Sequence, residues 1–278
     1  MVITELPRKQ VVIFDGSWVR IPLSSPMEDL MKKNKTEIIK LAIVLFVLVV
    51  AFGIVIIQML IYTQEGEKNM PFNLTEIIVV SSAEGIDKAE NPENYKWNLD
   101  IMQYNDIYLQ ISKNEDYDRN AYIESVRLEN FSFSTPKIGN TRIYMPNSTE
   151  ERLFSYDDNF LINRTLTYNG ADESNSKTLE ISSQGGKILF RAANTDVGDL
   201  VSNENLEIAQ DGTIISNTSV TMEDLKYNIS FDLVIDTNIT TYRGNISLEL
   251  PCGDIISNGT AQLDEKDCSN IIFKRENS

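Results

Sequence analysis

Three oxygen-bearing side chains occupy alternate positions in one short polar segment. They are Asp116, Asp118 and Asn120. An EF-hand calcium loop spaces its first ligands in this way. However, Ala121 stands where that loop needs glycine, and Arg127 stands where it needs its final glutamate. We therefore interpret the segment as a solvated hairpin tip, and we predict no specific calcium site.

The chain has two cysteines, Cys252 and Cys268, and no histidine. Without histidine it lacks the usual general base near neutral pH and the commonest metal ligand. Two cysteines alone do not complete a zinc site. A disulfide between them would close a loop of a size that the entropic model associates with about 3 kcal/mol of stabilisation. We expect this bridge in an oxidising compartment, although spacing alone does not establish its geometry.

Sequence motifs for catalysis are weak. Ser134 and Lys137 match the S-x-x-K pattern of penicillin-binding enzymes, but Pro136 lies between them and no S-D-N or K-T-G follows. Pairs of acidic residues for glycoside hydrolysis remain an alternative, since Asp and Glu are abundant along the chain. We predict no cofactor, and we favour a protein that is not an enzyme.

The elements that would position these residues are β-strands. After residue 72, short runs of β-branched and aromatic residues recur between clusters of Asn, Asp, Gly and Ser. Many short strands at such spacing predict a mainly β fold, either an antiparallel β-sandwich or a partly open barrel.

Alternation of apolar and polar residues gives three local predictions. We expect Tyr104-Asn105-Asp106 to be a hairpin turn between two strands. The apolar phase shifts near Glu129-Asn130, which predicts a β-bulge there. The runs Tyr227–Asp236 and Tyr242–Leu250 should pair as a hairpin through residues 237–241.

One segment, Leu41 to Ile61, is apolar throughout. It has 21 residues and no charge, and Gln58 is its one strongly polar member. A helix of this length spans about 31 Å, which matches a hydrocarbon core of about 30 Å. The apolar run is too long for a cleavable signal peptide, and no A-x-A cleavage site follows it. We assign residues 41–62 as an uncleaved transmembrane signal anchor that contacts membrane lipid.

Flanking charge gives the orientation of this span. Four lysines precede it: Lys32, Lys33, Lys35 and Lys40. Excess basic residues mark the cytoplasmic side, so we expect a cell-membrane protein with its N-terminus inside and its C-terminal domain outside. The predicted organisation is a charged cytoplasmic lead at 27–40, a linker at 63–72 and an extracytoplasmic all-β domain at 73–278.

The first 26 residues suggest a gene model that starts too early. Val19-Arg20-Ile21-Pro22 back-translates to a sequence found in the T-arm of transfer RNA genes. We therefore expect residues 1–26 to be a mispredicted extension, and the composition fits an AT-rich bacterial genome. The alternative is a genuine cytoplasmic tail with one short strand.

Net charge restricts the partners of the outer domain. The chain has 25 basic and 41 acidic residues; seven basic and five acidic ones precede Gln64, which leaves a charge of −18 beyond it. Such a domain disfavours nucleic acid, which is bound through Lys and Arg. We expect a non-enzymatic binding or scaffolding module of the cell envelope, with an unidentified envelope protein or polymer as partner. The alternatives are an envelope hydrolase with Asp/Glu pairs and a subunit of a membrane complex that makes contact through Gln58.

Overall fold

The chain divides into two units, Met1–Thr63 and Gln64–Ser278. The computed structural model describes residues 12–14, 17–19, 26–88, 97–146, 153–154, 165–171, 179–202 and 213–276. These residues are mainly β-strand, with one long apolar helix near the N-terminus. The prediction of a mainly β chain with one such helix is confirmed, and two large sheets fit the predicted sandwich.

The N-terminal unit contains a small hairpin and most of the long helix. Strands β1 (Val12–Phe14) and β2 (Ser17–Val19) pair antiparallel, and helix α1 is Pro26–Glu65. Within it, Glu37–Glu65 is long and apolar enough to cross a membrane. Its large apolar side chains are exposed along the whole segment. Most of the predicted 1–26 extension lies outside the described residues.

The second unit contains two sheets built from eleven described strands. In chain order they are β3 (Phe72–Asp87), β4 (Trp97–Lys113), β5 (Ile123–Phe133), β6 (Asn140–Tyr144), β7 (Leu166–Asn169), β8 (Leu179–Glu180), β9 (Gly185–Ser202), β10 (Tyr227–Thr237), β11 (Thr241–Leu250), β12 (Thr260–Glu265) and β13 (Phe273–Glu276). The first sheet has the order β13-β11-β10-β5-β7-β8, and the second has the order β12-β3-β4-β9-β6. Neighbouring strands are antiparallel except β7 and β8.

Two of the local predictions are confirmed. Strands β10 and β11 form the expected hairpin, in which Asp236 lies opposite Thr241. A bulge interrupts the pairing of β5 with β10, and Asn130 within it has φ 54°. Asparagine tolerates this left-handed conformation better than most residues do, so the phase shift in the sequence correctly located the bulge.

The prediction of a hairpin turn at Tyr104-Asn105-Asp106 is wrong, because these residues lie in the middle of the continuous strand β4. Asn105 is buried and faces inward, where its polar groups are satisfied. Its Oδ1 accepts hydrogen bonds from Ser81 and Gln103, at 2.7 Å each, and its Nδ2 donates to the Tyr227 hydroxyl at 2.9 Å. Such polar residues usually indicate a turn. In this strand they form a buried hydrogen-bond network instead.

Among the described residues the buried apolar side chains form three clusters. One of them, around Tyr104, Tyr144 and Phe154, lies on the outer face of the second sheet, and the other two form the main core and the end core. The main core lies between the two sheets and includes a contact of the Phe190 and Phe231 rings, whose centroids are 5.2 Å apart. The end core lies where the second sheet extends further than the first. Three short helices cover it: a 3-10 helix (Thr213–Asn217), α2 (Met222–Leu225) and α3 (Ile255–Asn258). Its buried residues are Ala83, Ile101, Val197, Ile214, Ile215, Leu225 and Ile255.

The start of the second unit is fixed to strand β13. Gly66 has φ +68°, and a Cβ there would lie 2.4 Å from the Phe273 carbonyl oxygen, so only glycine fits. The next residue, Glu67, donates its backbone N–H to that oxygen at 2.8 Å and pairs with Arg275 at 2.6 Å. Much of the predicted linker at 63–72 is therefore occupied by the end of α1 and by residues packed on the sandwich.

Candidate functional site

A cleft of about 780 Å³ lies on the outer face of the second sheet. The side chains of Arg142 and Tyr144 point outward there because Ile143, between them on β6, points into the main core. Residues 84–87 of β3 and Met102 of β4 form the opposite wall. The cleft therefore crosses the sheet from β6 to β3, three strand spacings or about 14 Å.

Arg191 is held rigidly at one end of the cleft. Its Nε lies 2.6 Å from Oδ1 of Asp106 and its Nη2 lies 2.9 Å from Oδ2. The guanidinium carbon is 4.2 Å from the ring centroids of both Tyr104 and Phe154. Bidentate pairing and stacking on two rings fix a guanidinium in place, so Arg191 forms a structural part of this wall.

Arg142 is the second cation of the cleft. It is partly exposed, and within the described residues no carboxylate lies within ion-pair distance of it. The domain has a charge of −18, so an arginine that has no ion-pair partner among the described residues is unusual here. A guanidinium in this position presents hydrogen-bond donors that suit a carboxylate or phosphate group.

The remaining lining combines exposed apolar side chains with two carboxylates. Leu153 is 57% exposed and Ile86 is 38% exposed. Glu84 and Asp87 are also exposed on this wall. Gly85, between them, packs on the end core: a Cβ there would lie 2.6 Å from Cδ1 of Ile214. The wall is therefore supported by the end core.

The weak calcium-ligand candidates lie in the loop between β4 and β5. Asp116, Asp118 and Asn120 are all exposed. Asn114, at the start of their loop, is instead used structurally: its Oδ1 accepts the Asp116 N–H at 3.1 Å and its Nδ2 donates to the Met70 carbonyl at 2.9 Å. In the described part of the chain, no three Asp, Glu, Cys or His side chains are grouped as a metal site would need.

Cys252 and Cys268 are free thiols in the structure. The Cys252 sulfur lies 3.3 Å from the Ser81 hydroxyl oxygen, whereas Cys268 follows Glu265 at the far end of β12. Burial, with Glu265 and Asp267 nearby, raises the pKa of the Cys268 thiol. The two sulfur atoms contact different residues, and the disulfide between them stays a prediction.

A second cluster of charges, on the first sheet, is internally paired. Arg127 binds Asp236 through Nε at 2.7 Å, and Arg243 bridges Glu129 at 2.9 Å and Asp232 at 3.0 Å. Because its charges are already matched by near neighbours, this cluster suits a role in stability better than one in ligand binding.

The sequence did not indicate the residues of the cleft. Arg142 and Arg191 lie at polar positions of alternating strands, where any solvent-facing residue fits. Their proximity depends on β6 pairing with β9, a long-range contact that local patterns do not contain. The weak available signal was an arginine in each of two strands of an otherwise acidic domain.

No family model, curated protein or solved structure matches this chain. Any functional assignment therefore depends on the geometry of the cleft, the charge of the domain and the apolar helix.

Proposed function

We propose that the chain is a single-pass membrane protein whose outward-facing β-domain binds a partner at the cell envelope without catalysing a reaction. The apolar part of helix α1 supports the assignment of a membrane anchor, because it is long enough to cross a bilayer. The lysines before the span support an inward N-terminus. The domain itself would then lie outside the cell.

The observation that supports this proposal most is the cleft beside Arg142. It combines a cation that has no described ion-pair partner with the exposed apolar side chains of Ile86 and Leu153. Concave sites lined by apolar side chains and a few polar groups are the usual form of ligand sites. The chemistry that fits is an anionic group attached to an apolar portion.

Site-specific crosslinking tests the proposal in intact cells. A photoreactive residue at Leu153, inside the cleft, should give a crosslinked product, and Arg142→Gln should reduce its yield. The matched control is the same residue at Leu263, which is 38% exposed and lies on β12 outside the cleft. Equal products from both positions, or none from Leu153, would contradict a binding role for the cleft.

The alternative of an envelope hydrolase has one observation in its favour: Glu84 and Asp87 line the same cleft. Glycosidases need two carboxyl groups about 5–9.5 Å apart across the bond that is cleaved. If this alternative holds, Glu84→Gln and Asp87→Asn should each abolish release of soluble sugar from envelope material. In a binding module both variants leave that material intact, as does the wild type.

The third possibility, a subunit of a membrane complex, concerns the helix. Gln58 is exposed on α1, and a side-chain amide in lipid gains from a hydrogen bond to a neighbouring helix. A crosslinker at residue 58 that captures a second membrane protein would support this possibility. A crosslinker at Leu48, on the same helix, provides the comparison.

A further inference from the structure

Three buried oxygen atoms without a described hydrogen-bond partner lie in one row. They are Oγ1 of Thr141, Oδ1 of Asn194 and Oε1 of Gln103. Thr141 lies opposite Asn194 across β6 and β9, and Asn194 lies opposite Gln103 across β9 and β4. Residues directly opposite each other share a face of the sheet. The three side chains therefore lie on the inward face of the second sheet, on the adjacent strands β6, β9 and β4.

The amide orientations show that these orphaned atoms are acceptors. Asn194 donates its Nδ2 to the Ile138 carbonyl at 2.8 Å. Gln103 donates its Nε2 to Oδ1 of Asn105 at 2.7 Å. Exchanging N and O in either amide would place two acceptors against each other. Both residues are completely buried, so bulk water does not reach their free oxygens.

We propose that this row is a binding site for internal water. One water molecule donates two hydrogen bonds and accepts others, and buried waters make about three hydrogen bonds on average. Water bound along the row would donate to the oxygens of Gln103 and Asn194 and accept from the Thr141 hydroxyl. The row thus supplies two acceptors and one donor, and water can pair with both kinds of group.

The same atoms fit a cation poorly. The row offers two amide oxygens and a hydroxyl but no carboxylate, so it provides no charge to offset desolvation of an ion. A calcium ion also needs about six to eight oxygen ligands. Water is neutral, so it can form hydrogen bonds with these atoms without a compensating charge and without six to eight ligands.

The row of Thr141, Asn194 and Gln103 lies between the two apolar cores. Ala83 of the end core lies opposite Gln103, whereas Ile143 of the main core is two residues beyond Thr141 on the same face. The hydrated row therefore separates the two apolar cores. It also lies beneath the cleft, between the wall at residues 84–87 and the wall that contains Arg142.

The proposal is tested by whether removing the Thr141 hydroxyl lowers or raises the unfolding midpoint. In the full chain in detergent micelles, Thr141→Val removes the hydroxyl at nearly constant volume. If water bonds to it, the variant loses a hydrogen bond and the unfolding midpoint falls by about 2–4 °C. If the oxygen is dry, removing an unsatisfied polar atom raises the midpoint. Thr141→Ser keeps the hydroxyl and should unfold at a higher temperature than Thr141→Val.

Two controls complete the experiment. Thr167→Val, at an exposed strand position of β7, measures the effect of the same substitution away from the row. The midpoint of the wild type is also compared in sodium, potassium and choline chloride at equal ionic strength. Equal midpoints argue against an alkali cation in the row and leave the Thr141→Val comparison to separate water from a dry site. A rise selective for sodium or potassium, or a Thr141→Val variant at least as stable as the wild type after the Thr167→Val correction, would overturn the assignment.

Discussion

Arg191 and Asp106 face each other across strands β9 and β4 and form a two-point ion pair, with N···O distances of 2.6 and 2.9 Å. The arginine side chain is 12% exposed and the aspartate side chain 16% exposed. The same guanidinium stacks on Tyr104 and Phe154, so one side chain joins two strands and two aromatic rings. This contact organises the fixed end of the cleft.

Replacing Arg191 by lysine should destabilise the domain although the charge is kept. Lysine offers a point charge in place of the planar fork, so the second hydrogen bond and the stacking are lost. We expect the free energy of unfolding to fall by about 1–3 kcal/mol in urea titrations of the full chain. Arg119→Lys, in an exposed loop, is the control and should change it by less than about 0.5 kcal/mol. Equal effects would show that the Arg191 geometry contributes nothing.

Two adjacent glycines at the start of β9 should respond very differently to alanine. Gly185 has φ +100°, and a Cβ there would lie 2.5 Å from the Ile111 carbonyl oxygen. At Gly186 the nearest atom would be 3.5 Å away, an ordinary contact. We expect Gly185→Ala to lower the free energy of unfolding by about 1–3 kcal/mol and Gly186→Ala to be nearly neutral. Similar losses in both variants would contradict the described backbone.

Acid should weaken the first sheet through Asp236. Burial alone would raise its pKa, but hydrogen bonds from Arg127, Ser125 and Thr241 outweigh burial and the pKa is lowered. A lowered pKa in the folded state stabilises the fold above the unfolded value of about 3.9, and this stabilisation is lost as the pH falls through the folded pKa.

Asp236→Asn isolates this contribution. The variant should be less stable than the wild type near neutral pH by about 1–3 kcal/mol, and it should lose less stability on acidification. Urea unfolding between about pH 7 and pH 2 measures both quantities. Asp118→Asn, in the exposed loop, is the matched control. Parallel pH curves for the wild type and Asp236→Asn would contradict the role of this carboxylate.

The sequence predicted those features that depend on local alternation. The hairpin at 237–241 and the bulge at Asn130 follow from which residues must face the core. The prediction failed at Asn105, because a buried polar network looks like a turn when its partners Ser81 and Tyr227 are distant in sequence. The cleft was missed for the same reason, since its two walls come from strands far apart along the chain.

Calcium should not bind specifically to the loop at residues 114–120. Asp116 and Asp118 are exposed, and Asn114 is already bonded to its neighbours. Calcium and magnesium should each raise the unfolding midpoint slightly and equally, because both screen the charge of −18. Thermal unfolding with millimolar amounts of either ion, and with a chelator, makes the comparison. A rise selective for calcium that Asp116→Ala abolishes would establish a site there.

The end core should open more readily than the main core. Among the described residues it has 7 buried apolar side chains against 29 in the main core, and the row at Thr141, Asn194 and Gln103 separates the two. Regions with few buried apolar contacts open with a lower free energy than the whole domain.

Strand β4 allows an internal comparison, since it passes through both cores. In hydrogen exchange followed by mass spectrometry, segment 97–102 should exchange faster than segment 105–113. On β9, segment 197–202 should likewise exchange faster than segment 186–192. Because residues 84–87 of the cleft wall rest on the end core, such opening would also widen the cleft without unfolding the sandwich. Equal exchange on both sides of Gln103 would show that the two cores open as a single unit.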